Sequence, residues 1–208
     1  MPMQPVISAK AAAPTKGRLH LFSLYTDFPA SVRARWAAAT IIKRAGRQWQ
    51  SSSEMWKLDS LAVSQPIKDM LSNDAANADV IVVAVSSLEQ RAPELVQWLH
   101  SLAAREPRRS VPGVLIALLG DEADQSQELD WTVKQLIRCA QQTDRSFIWH
   151  WMEKGAMDDP DWLTGSVEEL FMRHWVEKGV MHDSGWLTDS VEELLARKSA
   201  ANRGAVLR

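Results

Sequence analysis

The chain has one cysteine, Cys139, and one tyrosine, Tyr25, in 208 residues. A single cysteine excludes an intrachain disulfide and any Cys-x-x-Cys metal or redox pair, and it fits a reducing compartment. Cys139 falls within a helical pattern, where a small thiol is expected to pack rather than to attack. No apolar run approaches the roughly 20 residues that span a bilayer, so no membrane segment is expected. An excess of one charge is also lacking. The 24 basic and 26 acidic side chains leave a net −2, which offers no global attraction to nucleic acid or anionic lipid. The basic cluster Arg105, Arg108 and Arg109 reads as a solvated helix end. Nine glycines occur, none of them in a G-x-x-x-x-G-K-[ST] phosphate loop or a G-x-S-x-G nucleophile elbow. The five histidines show no H-x3-H spacing. His150, His174, His182, Asp158, Asp159 and Asp183 recur through a duplication rather than as a ligand set, and no metal site is expected.

Tryptophan is what the chain has in excess: ten, against one tyrosine. Five of them, Trp149, Trp151, Trp162, Trp175 and Trp186, fall in or beside a tandem repeat. The unit beginning His150-Trp151 and ending at Arg173 returns from His174-Trp175 to Arg197 at an offset of 24, with 16 of 24 positions identical. Two copies are too few for a solenoid, which generally needs three or more. Within each copy, Ser166…Glu169 and Ser190…Glu193 have capping-box spacing and predict a helix start. Large aromatic side chains with one N–H each suit anchors on a surface, so Trp151, Trp162, Trp175 and Trp186 are the candidate partner-binding residues.

Between the ends the pattern alternates. Leu19–Leu24, Glu54–Leu58, Asp79–Val85, Val111–Leu119 and Ser146–Trp151 read as strands. The third, a continuous β-branched run, is expected to be covered on both faces. Helices are predicted from Asp27-Phe28-Pro29 (stripe Val32, Trp36, Ala39, Ile42, stop at Gly46) and from Ser64-Gln65-Pro66 (Ile67, Met70, Leu71). Two more are predicted from Pro93 (Leu95, Trp98, Leu99, Leu102) and around Leu129, Val133, Leu136, Ile137 and Ala140. Strand–helix alternation with right-handed crossovers predicts an α/β fold: a doubly wound five-stranded parallel sheet of order 2-1-3-4-5. The expected division is a disordered tail over 1–17, the α/β domain over 18–151, the Trp-rich helical repeats over 152–198, and a disordered end over 199–208. The N-terminal stretch lacks the continuous apolar core of a secretory signal, and a cytoplasmic setting is expected.

Open α/β sheets bind ligands beyond the carboxyl ends of their strands. The predicted lining is Tyr25, Thr26, Asp27, Ser86, Ser87, Gly120 and Asp121. For FMN, the loop after strand one has hydroxyls but no glycine, Asp27 would repel a phosphate, and the loops at 86–92 and 120–128 hold no aromatic residue. For receiver-type phosphotransfer, the position after strand three holds Ser86-Ser87 in place of an acceptor carboxylate. For a TIR-like, NAD-cleaving domain, Glu94 is the one residue that carries over. The aromatic–cysteine pair expected before it is absent, and an acid at a helix start is equally explained by the dipole. Asp27 and Glu94 are therefore the only catalytic candidates, and no cofactor is expected.

Tyr25-x-Asp27-Phe28, Trp56-Lys57-Leu58-Asp59-x-Leu61, Ala78-Asp79-Val80-Ile81-Val82-Val83 and Ala117-Leu118-Leu119, spread over 19–150, resemble a family of bacterial flavodoxin-like proteins. The resemblance implies the fold and a bacterial cytosolic setting, and it carries no activity. The leading expectation is a non-catalytic binding or regulatory module whose Trp-rich C-terminal tail contacts a protein partner or a second copy. The competing expectation is a nucleotide- or NAD-related enzyme, TIR-like or flavodoxin-like, with its ligand at the carboxyl ends of the strands.

Overall fold

The computed structural model describes residues 17–86, 92–105, 111–120, 127–151 and 185–206. Its elements run β1 (Gly17–Tyr25), α1 (Phe28–Ala45), β2 (Trp49–Lys57), a 3-10 turn (Leu58–Ala62), α2 (Gln65–Asn77), β3 (Val80–Val85), α3 (Ala92–Arg105), β4 (Gly113–Leu119), α4 (Gln127–Gln142), β5 (Arg145–Trp151) and α5 (Gly185–Val206). The five strands form one parallel sheet in the order β2-β1-β3-β4-β5, as expected. Every residue of β3 and of β4 is buried, which is how a strand covered on both faces reads in sequence as an unbroken apolar run.

Alternation along the strands sorts their side chains into two cores. Phe22, Leu24, Ile81, Val83, Leu115 and Ala117 face α2, α3 and α4, where Leu71, Trp98, Leu102, Leu136 and Ala140 meet them. Trp98 stacks on Phe22 with ring centroids 5.9 Å apart. Leu19, Leu21, Val80, Val82, Val114, Ile116 and Leu118 face the other way, toward α1 and toward Val191, Leu194 and Leu195 of α5. The sheet is therefore wound on both sides, with α1 and α5 sharing one.

Local chemistry explains most of the boundaries. The Asp27 carboxylate caps α1 by accepting from Ala30 N at 2.8 Å, Pro29 occupies the first turn, and Gly46 ends the helix at φ 72, a left-handed value that glycine tolerates. Ser64 caps α2 more loosely, accepting from Ile67 N at 3.5 Å. The Arg145 guanidinium closes the other end of α2, donating to the carbonyls of Ala78 (2.8 Å), Ala75 (3.3 Å) and Ala76 (3.4 Å). There a cation meets the last carbonyls and the negative pole of the helix.

Four expectations are corrected. The inner face of α1 is Ala30, Arg33, Ala34, Trp36, Ala37, Ala38, Ile41 and Ala45: Trp36 is buried as expected, while Ala39 is exposed and Val32 and Ile42 sit at the margin. A face made largely of alanine lets the helix lie closer to the sheet than a Val/Ile stripe would. On α2, Met70 is 42% exposed, because the inward set is Leu71, Ser72, Ala75 and Ala76. The second strand spans Trp49–Lys57, not Glu54–Leu58: it pairs with all nine residues of β1, and ladder hydrogen bonds are indifferent to the polar run Gln50–Glu54. Ser190 does not cap a helix. α5 begins at Gly185, so Ser190 lies inside it and Glu193 pairs with Arg197 at 2.5 Å instead of reaching back.

α5 also redraws the domain boundary expected after Trp151. Its apolar side is part of the second core, and the helix continues to Val206 through the stretch from 199 expected to be unstructured. Lys198 anchors it at the amino ends of the strands. The ammonium meets Asp79 Oδ1 at 2.5 Å, donates to Arg18 O at 2.9 Å and lies 5.8 Å from the Trp49 ring centroid. Arg44 of α1 makes an ion pair with Glu192. The remainder of the expected repeat span, 152–184, lies outside the described residues, as do 1–16 of the expected N-terminal tail.

Candidate functional site

The carboxyl ends of β1 and β3 converge on a small polar cluster. Thr26 N donates to Ala84 O at 3.2 Å, which carries the β1–β3 pairing one residue past the strand end and sets Thr26 and Asp27 beside Ser86. Ser86 N then donates to Thr26 Oγ1 at 3.1 Å, and Ser86 Oγ donates to Asp27 Oδ1 at 2.9 Å. Thr26 Oγ1 donates to Asp27 Oδ2 at 3.1 Å. Gly120, at the end of β4, passes so close that a Cβ there would stand 2.5 Å from Ser86 O, so only glycine lets the two strand ends approach in this way.

Arg33, which the expected α1 stripe left out, completes the cluster. It lies one turn beyond the Asp27-capped end of α1, is 6% exposed, and donates from Nη2 to Ser86 Oγ at 2.6 Å. Its Nε is buried with no acceptor. Burial lowers the guanidinium pKa and the Asp27 charge partly restores it, as for a cation held away from water beside one carboxylate. The signal was in the sequence: Arg33 shares a helical face with Ala30, Ala34 and Ala37. A search for apolar stripes passes over a charged residue at such a position.

The side chains of the cluster are hydrogen-bonded chiefly to one another. Asp27 accepts from one backbone amide and two hydroxyls, so its lone pairs are already directed at internal donors. Ser86 Oγ receives an Arg33 N–H, which draws electron density from the oxygen and opposes nucleophilic use. Of the expected lining, Thr26, Asp27, Ser86 and Gly120 come together. Tyr25 packs against the second core, and Ser87 and Asp121 lie outside the described residues. Glu94 is exposed in the first turn of α3 and is not among the partners of Asp27. Among the four anchoring tryptophans expected, Trp151 ends β5 opposite Leu119, Trp186 lies in the first turn of α5, and Trp162 and Trp175 are outside the described residues.

Elsewhere, a hollow of about 180 Å³ lies between α3 and α4, with His100, Arg138 and Cys139 on its walls. Cys139 is buried and its thiol donates to Leu99 O at 3.7 Å. Among the described residues no helix is long and apolar enough to cross a membrane, and no three His, Cys, Asp or Glu side chains are grouped to hold a metal ion. The chain matches no protein-family model and no curated protein sequence.

Proposed function

We propose that this chain is a non-catalytic α/β binding module that associates with protein, and that the β5 edge is its contact surface. The observation that carries the reading is the exposure of Trp149: it lies on the outermost strand and is 49% exposed. Trp131 on the neighbouring α4 is 44% exposed. Tryptophan is among the residue types most enriched at the energetic centres of interfaces. The opposite edge, β2, carries Ser51, Ser52, Ser53, Glu54 and Lys57, the polar dressing that discourages edge pairing. The Trp-rich repeat that follows β5 extends the same composition along the chain. The committed acceptors of Asp27 argue against catalysis in the cluster.

A second copy of the chain is the partner that can be tested directly. Light scattering on the full-length protein is expected to show a mass that rises with concentration toward a dimer, and Trp149→Lys is expected to hold it at the monomer. A monomeric mass at every concentration, unchanged by the substitution, would sink the reading.

The alternative, a nucleotide-like ligand at the carboxyl ends of the strands, is favoured by one observation: the unsatisfied Nε of buried Arg33 beside Ser86. A midpoint of thermal unfolding raised by NAD, FMN or a nucleotide, and no longer raised in Arg33→Met, would move the assignment there.

A further inference from the structure

The repeat and the fold share a register. The unit starts at His150-Trp151, the last two residues of β5, paired with Leu118 and Leu119 of β4. It ends at Arg197, beside the Lys198 anchor of α5. The described part of the first copy is therefore the end of the last strand, and the described part of the second copy is the core-facing part of the last helix. The second copy supplies α5 through Val191, Leu194 and Leu195, its Arg44 contact through Glu192, and its Glu193–Arg197 pair. Each has a counterpart 24 residues earlier: Val167, Leu170, Phe171, Glu168, Glu169 and Arg173. All the apolar positions that enter the core are apolar in the first copy, and every charge in these contacts is retained.

We propose that the surface of α1 and the sheet covered by α5 is a seat for either copy, so that the first copy of the repeat, in the same chain, is its second occupant. Reach is no obstacle. The stretch from Trp151 to Val167 spans up to roughly 50 Å when extended, more than the width of a domain of this size. The shorter connection also closes at lower entropic cost than the one to Val191. What favours the second copy is Lys198, held by Asp79, Arg18 O and the Trp49 ring, because His174 stands at the corresponding position after the first copy. Asp79 and Lys198 are 16% and 18% exposed, so the pair is largely shielded from solvent screening. The seat thus recognises a short helix with the pattern V-E-E-L-[LF]-x-R, and an ion pair outside the repeat selects between two near-identical sequences. Moving the first copy onto the seat would release the second from the domain surface.

Full-length protein with Cys139→Ala tests this by disulfide trapping, using Arg44→Cys with Glu192→Cys to report the second copy and Arg44→Cys with Glu168→Cys to report the first. Arg44→Cys with Glu169→Cys is the register control, since the counterpart of Glu169 pairs with Arg197 and not with Arg44. The expected result is a dominant 44–192 link and a minor intramolecular 44–168 link. Lys198→Ala should raise the minor link several-fold, Leu194→Asp should make it predominant, and the 44–169 pair should stay unlinked. Failure of the 44–168 link to exceed the 44–169 control in the Leu194→Asp chain overturns the proposal, as does a 44–168 link found only between chains.

Two deletions give an independent reading. Removing 150–173 joins Trp149 to His174 and restores His-Trp opposite Leu118 and Leu119. Removing 174–197 joins Arg173 to Lys198 and puts the anchor behind the first copy. Both are expected to unfold cooperatively, and absence of a cooperative transition after removal of 174–197 overturns the proposal.

Discussion

The two faces of the sheet are covered by different means. On one, α2, α3 and α4 come from consecutive crossovers and fill the space with large side chains: Leu71, Leu95, Trp98, Leu102 and Leu136 against Phe22, Ile81 and Leu115. On the other, α1 presents mostly alanine, and its neighbour α5 arrives from the far end of the chain, held by three apolar residues, the Arg44–Glu192 pair and Lys198. The first face is a single interlocked core in which each helix is bracketed by its own strands. The second includes a helix, α5, that no described strand follows. Such a helix is where a fold can be added to, exchanged or regulated with least damage, because the strands beneath it stay paired when it leaves.

The largest effect should come from the interlocked face. Trp98→Ala is expected to cost about 3–5 kcal/mol in denaturant unfolding, since a fully buried ring stacked on Phe22 leaves a cavity its neighbours cannot close. Leu194→Ala, on the other face, should cost less than the roughly 2–5 kcal/mol usual for such a truncation, because the seat has a second occupant. Equal losses at the two positions would erase the comparison.

Next in size is Asp27→Ala, expected to cost about 2 kcal/mol: the α1 cap is lost, Thr26 and Ser86 lose their shared acceptor, and buried Arg33 loses the Asp27 charge beside it. Asp27→Asn keeps a capping oxygen and should recover part of the loss. Lys198→Ala should cost about 1 kcal/mol and act locally, with faster amide exchange in α5 while β3 and β4 remain protected. Uniform exchange throughout the chain would mean that α5 is not separable from the rest.

The smallest effect is a pH dependence. Hydrogen bonds from Arg105 and Gln65, joined by the charges of Arg105 and Lys68, hold the Asp69 carboxyl below its ordinary pKa of 3.8. A carboxyl with a depressed pKa in the folded state stabilises the fold above its unfolded pKa, and that stabilisation is lost as pH falls from about 4 through the lower folded value. Asp69→Asn should flatten this part of the acid limb in titrations of the unfolding midpoint, more visibly at low salt because the group is exposed.

Much of the fold is legible locally. The unbroken apolar runs of β3 and β4 announce strands covered on both sides, and Asp27-Phe28-Pro29 and Ser64-Gln65-Pro66 mark two helix starts that the structure contains. Trp98 and its companions on α3 stand at plain helical spacing and are buried as expected. β2 was only half visible because its pairing is made by backbone, and its side chains carry an edge strand's polar pattern. Thr26, Asp27 and Ser86 were legible as strand-end neighbours, but Arg33 was not. Its role depends on which side of α1 turns inward, and the alanines that decide this are equally at home on a solvent face.

From the sequence alone came the alternation that makes a parallel α/β sheet, its strand order, and the existence of a duplicated unit, since these rest on short-range periodicity and simple identity. Only the tertiary structure could decide that part of the unit completes the domain. Whether Val191, Leu194 and Leu195 are surface anchors or core depends on the apolar strip that α1, β1 and β4 leave uncovered, and that strip exists only once residues far apart in the chain have been brought together.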